Sequence, residues 1–187
     1  MGKGVGAILL FGCLLHCVVN MSGAEAKDKM TMIFHADLNK DGRKELLVHD
    51  FYGGSSGYGL LKIYNPHGRL IFKVSVEGDP YLFDPEKHRP RLNNDFFPDL
   101  DGDGIPEILV GHRGIGDLNE IHSHVDEPWW FDIYKWNGKT FALADESFPN
   151  FYHNELVEYR RLVQEKGVCE SFRKFIKRAE KLEAKSL

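Results

Sequence analysis

The chain has 187 residues, of which 42% are hydrophobic, and it carries a formal net charge of −4 at pH 7. A negative net charge disfavours nucleic acid as a partner, because the phosphate backbone attracts basic surfaces. The length suits a single domain with a sizeable core.

The N-terminus has the features of a secretory signal. Lys3 precedes an apolar run from Val5 to Val19, and small residues follow. This pattern predicts a signal peptide over residues 1–26, export to a periplasmic or extracellular compartment, and no further membrane span. A lipid anchor through Cys13 is a less favoured alternative, because the residues before it fit a lipoprotein signal poorly.

An acidic loop typical of Ca2+ sites occupies residues 37–45, which we call loop one. Oxygen-bearing side chains alternate through it, with a glycine at the sixth position and an acid at the ninth: Asp37, Asn39, Asp41, Gly42 and Glu45. Alternate positions in a tight turn aim several hard ligands at one point, and the glycine permits the positive φ that the turn requires.

The same pattern recurs 62 residues later, in loop two (residues 99–107). It contains Asp99, Asp101, Asp103, Gly104 and Glu107. The seventh positions, Arg43 and Ile105, complete the predicted set of metal-binding residues. An EF-hand would need a bidentate Glu at the twelfth position, where this chain has Val48 and Val110.

Two Ca2+ ions are therefore expected, one in each loop. Loop two offers four carboxylates and loop one offers three, so we expect loop two to bind more tightly. Export favours permanently bound Ca2+, because extracellular sites with dissociation constants of about 10⁻⁴ to 10⁻³ M can stay filled.

Each loop belongs to a longer repeat. Ile63-Tyr64 recurs as Ile133-Tyr134 at a spacing of 70, so the second copy is 8 residues longer between Arg113 and Trp129. We predict four short strands in each copy, at residues 30–35, 45–49, 60–64 and 70–76, and at residues 92–97, 107–111, 130–136 and 140–145.

On these loops, the chain resembles the FG-GAP or VCBS repeats of integrin-like β-propellers over residues 30–145. The resemblance implies two four-stranded, antiparallel, propeller-blade-like units packed together within residues 27–150, with bound Ca2+. The family usually has Asp at the ninth position, where this chain has the longer Glu. Two units cannot close a propeller, so the sheets must pack face to face or be covered by other segments.

The C-terminal segment, residues 151–187, predicts one or two helices packed on the β domain. Apolar residues recur at helical spacing in two stripes: Leu156, Tyr159, Leu162 and Val163, then Phe172, Phe175, Ile176, Ala179 and Leu182. The basic residues between them leave a membrane-surface helix as the weaker alternative.

The additional residues of the second copy contain a histidine cluster. His122, His124 and Asp126 have a spacing that can hold a transition metal, although an ordinary polar loop is the commoner outcome. Neighbours on a strand face opposite sides, so one of Trp129 and Trp130 can be exposed for stacking on a ligand. Burial of both rings is the favoured alternative.

The sequence favours a non-catalytic binding or interaction module with structural Ca2+ ions and a protein or carbohydrate ligand. The alternative is a small metal-dependent hydrolase that uses the histidine cluster. A third possibility is a structural subunit. Cys169 is the one cysteine after the predicted signal, so no internal disulfide is expected, and a nucleophilic role for it is a minor alternative.

Overall fold

The computed structural model describes residues 30–52, 58–78, 81–84, 89–113, 129–167 and 170–186. The predicted signal peptide, the histidine cluster and Cys169 lie outside these residues. The strands are Met30–Ala36 (β1), Glu45–Phe51 (β2), Gly59–Tyr64 (β3), Leu70–Val76 (β4), Tyr81–Asp84 (β5), Arg89–Leu92 (β6), Ile108–Arg113 (β7), Trp129–Trp136 (β8) and Phe141–Leu143 (β9). Two helices follow, Pro149–Lys166 (α1) and Glu170–Glu183 (α2).

The first copy forms the predicted four-stranded antiparallel sheet, in the order β1-β2-β3-β4. Leu47 of β2 pairs with Phe34 of β1 and with Ile63 of β3, and all three side chains are buried. The alternation of buried and half-buried residues along β2 and β3 places one face of this sheet in the core, as a period of two requires.

The second copy forms a three-stranded sheet, in the order β7-β8-β9. The prediction of a four-stranded unit beginning with a strand at residues 92–97 was wrong. Leu92 ends β6, and Asn93 then organises a turn: its side-chain Oδ1 accepts the Asp95 amide, and its carbonyl accepts the amides of Phe96 and Phe97. An asparagine that bonds the backbone in this way favours a turn over an extended strand.

The residues after this turn still lie beside β7. The amides of Glu107 and Leu109 donate to the carbonyls of Pro98 and Phe96, each at 2.8 Å. In the first copy, the same positions pair Ala36 with Glu45. The missing strand is therefore replaced by an irregular segment that keeps two of its hydrogen bonds.

A hairpin that the sequence analysis did not predict connects the two copies. Its strands, β5 and β6, pair antiparallel from Tyr81 with Leu92 to Asp84 with Arg89. Pro90 lies opposite Phe83 in this hairpin. A two-stranded sheet tolerates a proline because each of its strands is an edge.

The two larger sheets pack against each other through one hydrophobic core. Phe72 of the first sheet lies 5.0 Å from the Tyr134 ring and 5.8 Å from the Phe141 ring, measured between centroids. Ile108 and Val110 of β7 belong to the same core. The first of the two arrangements that the sequence left open, direct packing of the sheets, is therefore present.

The helices cover the other face of the second sheet. Leu109 and Ile133 point to this side and pack with Leu156 and Ala179. Tyr152 donates a hydrogen bond to the Phe131 carbonyl (3.0 Å), which fixes α1 on β8. The predicted stripes are thus occupied by protein contacts and are not free to lie on a membrane. Among the described residues, no helix has the length and hydrophobicity needed to cross a bilayer.

Candidate metal centres

Loop one is a tight turn held together by its own acidic side chains. The Asp37 carboxylate accepts the Gly42 amide (3.0 Å), and the Asp41 carboxylate accepts the Arg43 amide (2.8 Å). Gly42 has φ +84° and Lys40 has φ +57°. These positive angles let the chain turn tightly enough for Asp37 and Asp41 to accept hydrogen bonds from the backbone of the loop.

Loop two repeats this hydrogen-bond pattern position by position. Asp99 accepts the Gly104 amide (3.0 Å), and Asp103 accepts the Ile105 amide (2.8 Å). Gly102 and Gly104 have φ +75° and +84°, matching the fourth and sixth positions of loop one. The two loops therefore have the same local structure, as the repeated sequence predicted.

The glutamate at the ninth position is fully buried in both loops. One oxygen of Glu45 accepts the Leu38 amide (2.8 Å), and one oxygen of Glu107 accepts the Leu100 amide (2.7 Å). The other oxygen, Oε1, is buried in each case and has no hydrogen-bond partner among the described residues. Asp37 Oδ1 is in the same situation.

These carboxylates are costly to bury as anions. Burial raises the pKa of Glu45, and the charges of Asp41 and Asp37 raise it further, against the hydrogen bond from Leu38. Burial likewise raises the pKa of Glu107. A buried charge is stable only when it is paired or coordinates a metal, so a cation within the loop would remove this cost.

The structure brings the predicted ligands closest together in loop two. One carboxylate oxygen from each of Asp99, Asp101 and Glu107 lies within 4.8 Å of the others. No other three acidic, histidine or cysteine residues come this close in the described part of the chain. In loop one, the Asn39 amide instead donates to Asp41 (3.4 Å).

A lysine that the sequence analysis missed lies in loop two. The Lys135 ammonium donates to Asp101 and to Asp103 (2.9 Å), and it is 4.0 Å from Glu107 Oε1. Lys135 follows Tyr134, which pairs with Ile108 of β7. The register of the predicted strands would have placed it opposite Glu107, so the signal was present in the sequence.

A polar cleft of 260 Å³ lies beside loop one. It is lined by Asn39, Asp41 and Arg43 of the loop and by residues of the β3–β4 and β8–β9 turns, including Arg69 and Lys139. The seventh-position side chain of loop one, Arg43, thus faces this cleft, where it is exposed.

The two adjacent tryptophans differ in exposure. Trp130 is buried, stacks on Tyr152 with centroids 5.1 Å apart, and has the Arg178 guanidinium 3.9 Å above its ring. Trp129 is half-buried and lines an apolar cleft with Phe131. Of the two rings, Trp130 belongs to the core and is not available to stack on a ligand.

A charged network that the sequence analysis also missed attaches α2 to the second sheet. Asp132 accepts hydrogen bonds from Trp130 (2.9 Å) and Arg178 (2.6 Å) and contacts His112 (2.9 Å). Arg178 also donates to Asp145 (2.7 Å). His112, Asp132 and Arg178 are at least 20 positions apart in the sequence, and no local pattern joins them.

No family model, curated protein or solved structure matches the chain. The resemblance to FG-GAP or VCBS repeats thus depends on the two loops and stays a hypothesis.

Proposed function

We propose that the chain is an exported Ca2+-binding repeat protein, whose ions are structural and whose role is non-catalytic binding of another molecule. The observation that supports this best is the pair of buried glutamates. In two loops of matching geometry, Glu45 and Glu107 each have one oxygen on a backbone amide and one buried oxygen without a hydrogen-bond partner in the described chain.

The residues present fit a hard divalent cation. The side chains that would hold the ion offer oxygen, from Asp37, Asn39, Asp41 and Glu45 in loop one, and the backbone carbonyl of Arg43 would be a further oxygen ligand. Oxygen ligands in a flexible loop suit Ca2+, whereas zinc and copper prefer nitrogen and sulfur. When bound, Ca2+ would supply positive charge that holds the loop and the strands on either side of it.

The ion-binding part is tested by isothermal titration calorimetry of the chain from residue 27 onward. We expect Ca2+ to bind, and Mg2+ to bind more weakly because it demands a smaller octahedral site. Glu45→Gln keeps an acceptor for the Leu38 amide but removes the charge, so it should abolish binding to loop one. Equal heats for the wild type and for the double variant Glu45→Gln, Glu107→Gln would refute the proposal.

We assign the binding of the other molecule to the cleft beside loop one. Asn39, Asp41 and Arg43 line this cleft, and an ion in loop one would fix their positions. We expect a ligand from an envelope extract to be retained on immobilised protein in ~1 mM CaCl2 and released by EGTA. The double variant Arg69→Gln, Lys139→Gln, which changes two exposed residues of the cleft, should retain less. Retention that neither EGTA nor this variant affects would contradict a role for the cleft.

A further inference from the structure

The ammonium of Lys135 lies inside the ligand cluster of loop two. It donates to Asp101 and Asp103 and faces the otherwise unpartnered Oε1 of Glu107 at 4.0 Å. Glu107 is fully buried, whereas Lys135 enters from a half-exposed strand position. A positive group therefore stands among the carboxylates that would receive a metal ion.

The first copy has no such group at the same position. The residue that follows Tyr64, as Lys135 follows Tyr134, is Asn65. Its Oδ1 accepts the amides of His67 (3.0 Å) and Arg69 (2.9 Å), so Asn65 stabilises the turn of its own hairpin. The carboxylates of loop one thus have no lysine among them in the described structure.

The two copies also differ at the third position of the loop, and this difference in charge accompanies the difference at Lys135. The third position of the loop is Asn39 in the first copy and Asp101 in the second. Asp101 is also one of the two carboxylates that accept a hydrogen bond from Lys135. One additional negative charge and one additional positive charge thus occur together, and they pair with each other.

We propose that Lys135 is a built-in cation of loop two that competes with Ca2+, so that loop one is the tighter Ca2+ site. This inference rests on the proposed function, and it reverses the order of affinities expected from counting carboxylates. Ca2+ can enter loop two only when the ammonium has left. The apparent dissociation constant equals the intrinsic constant divided by the fraction of molecules in which the lysine is out of the loop.

The charge of Lys135 is secure at neutral pH. The unperturbed pKa of a lysine side chain, about 10.4, keeps its ammonium charged at this pH. An ammonium also has three donors, which can satisfy several carboxylate oxygens at once. Loop two should therefore stay folded without Ca2+, whereas loop one depends on the ion.

The test is the number of Ca2+ ions bound by the wild type and by Lys135→Asn, which introduces the residue of the first copy. Calorimetry should detect one tight site in the wild type and two in the variant, with loop two at least about tenfold tighter than before. Lys73→Asn is the matched control, because it removes an exposed lysine of β4 that lies outside both loops and the cleft, and it should leave one tight site. Adding Glu107→Gln to Lys135→Asn should remove only the gained site.

Two equal sites in the wild type, unchanged by Lys135→Asn, would overturn the inference and leave the proposed function intact. A variant that gains no site would also overturn it. If the wild type binds no Ca2+ but Lys135→Asn binds one ion, the built-in cation is supported and the Ca2+ function of the natural chain is refuted. Absence of binding in both proteins would refute both.

Discussion

At the level of single residues, Glu45 and Glu107 show why an acidic loop can be more than a solvated surface. Each glutamate accepts one backbone amide and is fully buried. Exposed acids are solvated by water, but these two carboxylates are not. The sequence singled them out because the ninth position of the repeated loop directly precedes an apolar run in both copies.

His112 and Asp132 are a second pair whose charges matter for stability. The hydrogen bond to Asp132 raises the pKa of His112, against the effect of burial. Burial alone would raise the pKa of Asp132, but hydrogen bonds from His112, Trp130 and Arg178 outweigh it and lower the pKa to about 2. The pair is therefore most stable when the histidine is protonated and the aspartate is ionised.

The sign of the pH dependence follows from these directions. The raised pKa of His112 stabilises the fold fully below its unfolded value of about 6.5 and loses this effect as pH rises through the folded pKa. The lowered pKa of Asp132 stabilises the fold above about pH 4 and loses this effect as pH falls toward 2. Both contributions are present together at about pH 4 to 6.5.

In the wild type, the free energy of unfolding should fall between pH 6 and pH 8 as His112 loses its proton. We predict that this fall is smaller in His112→Gln. The effect should be at most about 1 kcal/mol, because the histidine is partly exposed and solvent screens the pair. Urea unfolding in EGTA measures it, and His67→Gln, which changes an exposed histidine of the β3–β4 turn, is the control. Parallel pH profiles for wild type and His112→Gln would contradict this account.

At the level of elements, the first copy could be predicted from the sequence and the second only in part. Strands β1 to β4 have clear alternation and a turn with Asn65 and Gly68, so local chemistry and tertiary packing agree. The segment at residues 92–97 has apolar residues only at its two ends, and Asn93 between them bonds the backbone and forms a turn. Side-chain turn chemistry there outweighed the hydrophobic pattern.

The helices were predictable, but their attachment to the sheet was not. The apolar spacing of residues 156–163 and 172–182 marked the buried faces, as the core confirms. Helical spacing alone places Arg178 outside the apolar stripe of α2. Its guanidinium nevertheless donates to Asp132 and Asp145 across the interface. Such contacts join residues more than 30 positions apart, so periodicity cannot reveal them.

At the level of the whole molecule, the second sheet is the middle layer between the first sheet and the helices. Strand β7 contributes side chains to two hydrophobic cores. Ile108 and Val110 pack in the core between the sheets, and Leu109 packs in the core beneath the helices. Each acidic loop is attached to these cores by a leucine whose amide donates to the buried glutamate. Leu38 belongs to the core between the sheets, and Leu100 packs at the core beneath the helices.

This connection means that an ion in loop one should stabilise the domain and not only the loop. If free Ca2+ is about 100 times its dissociation constant, binding contributes about 2.7 kcal/mol. For a domain of this size, that corresponds to a rise in the unfolding midpoint of roughly 5 to 10 °C. Ions in a loop that unfolds independently would leave the midpoint unchanged.

Thermal unfolding in EGTA and in ~1 mM CaCl2, for wild type and Glu45→Gln, tests the central claim most directly. We predict that Ca2+ raises the midpoint of the wild type by roughly 5 to 10 °C and has a much smaller effect on Glu45→Gln. In EGTA, the variant should unfold at the same or a higher temperature, because it removes a buried charge without a counter-charge. A wild-type midpoint that Ca2+ does not change, or a variant equally destabilised in both buffers, would contradict the account.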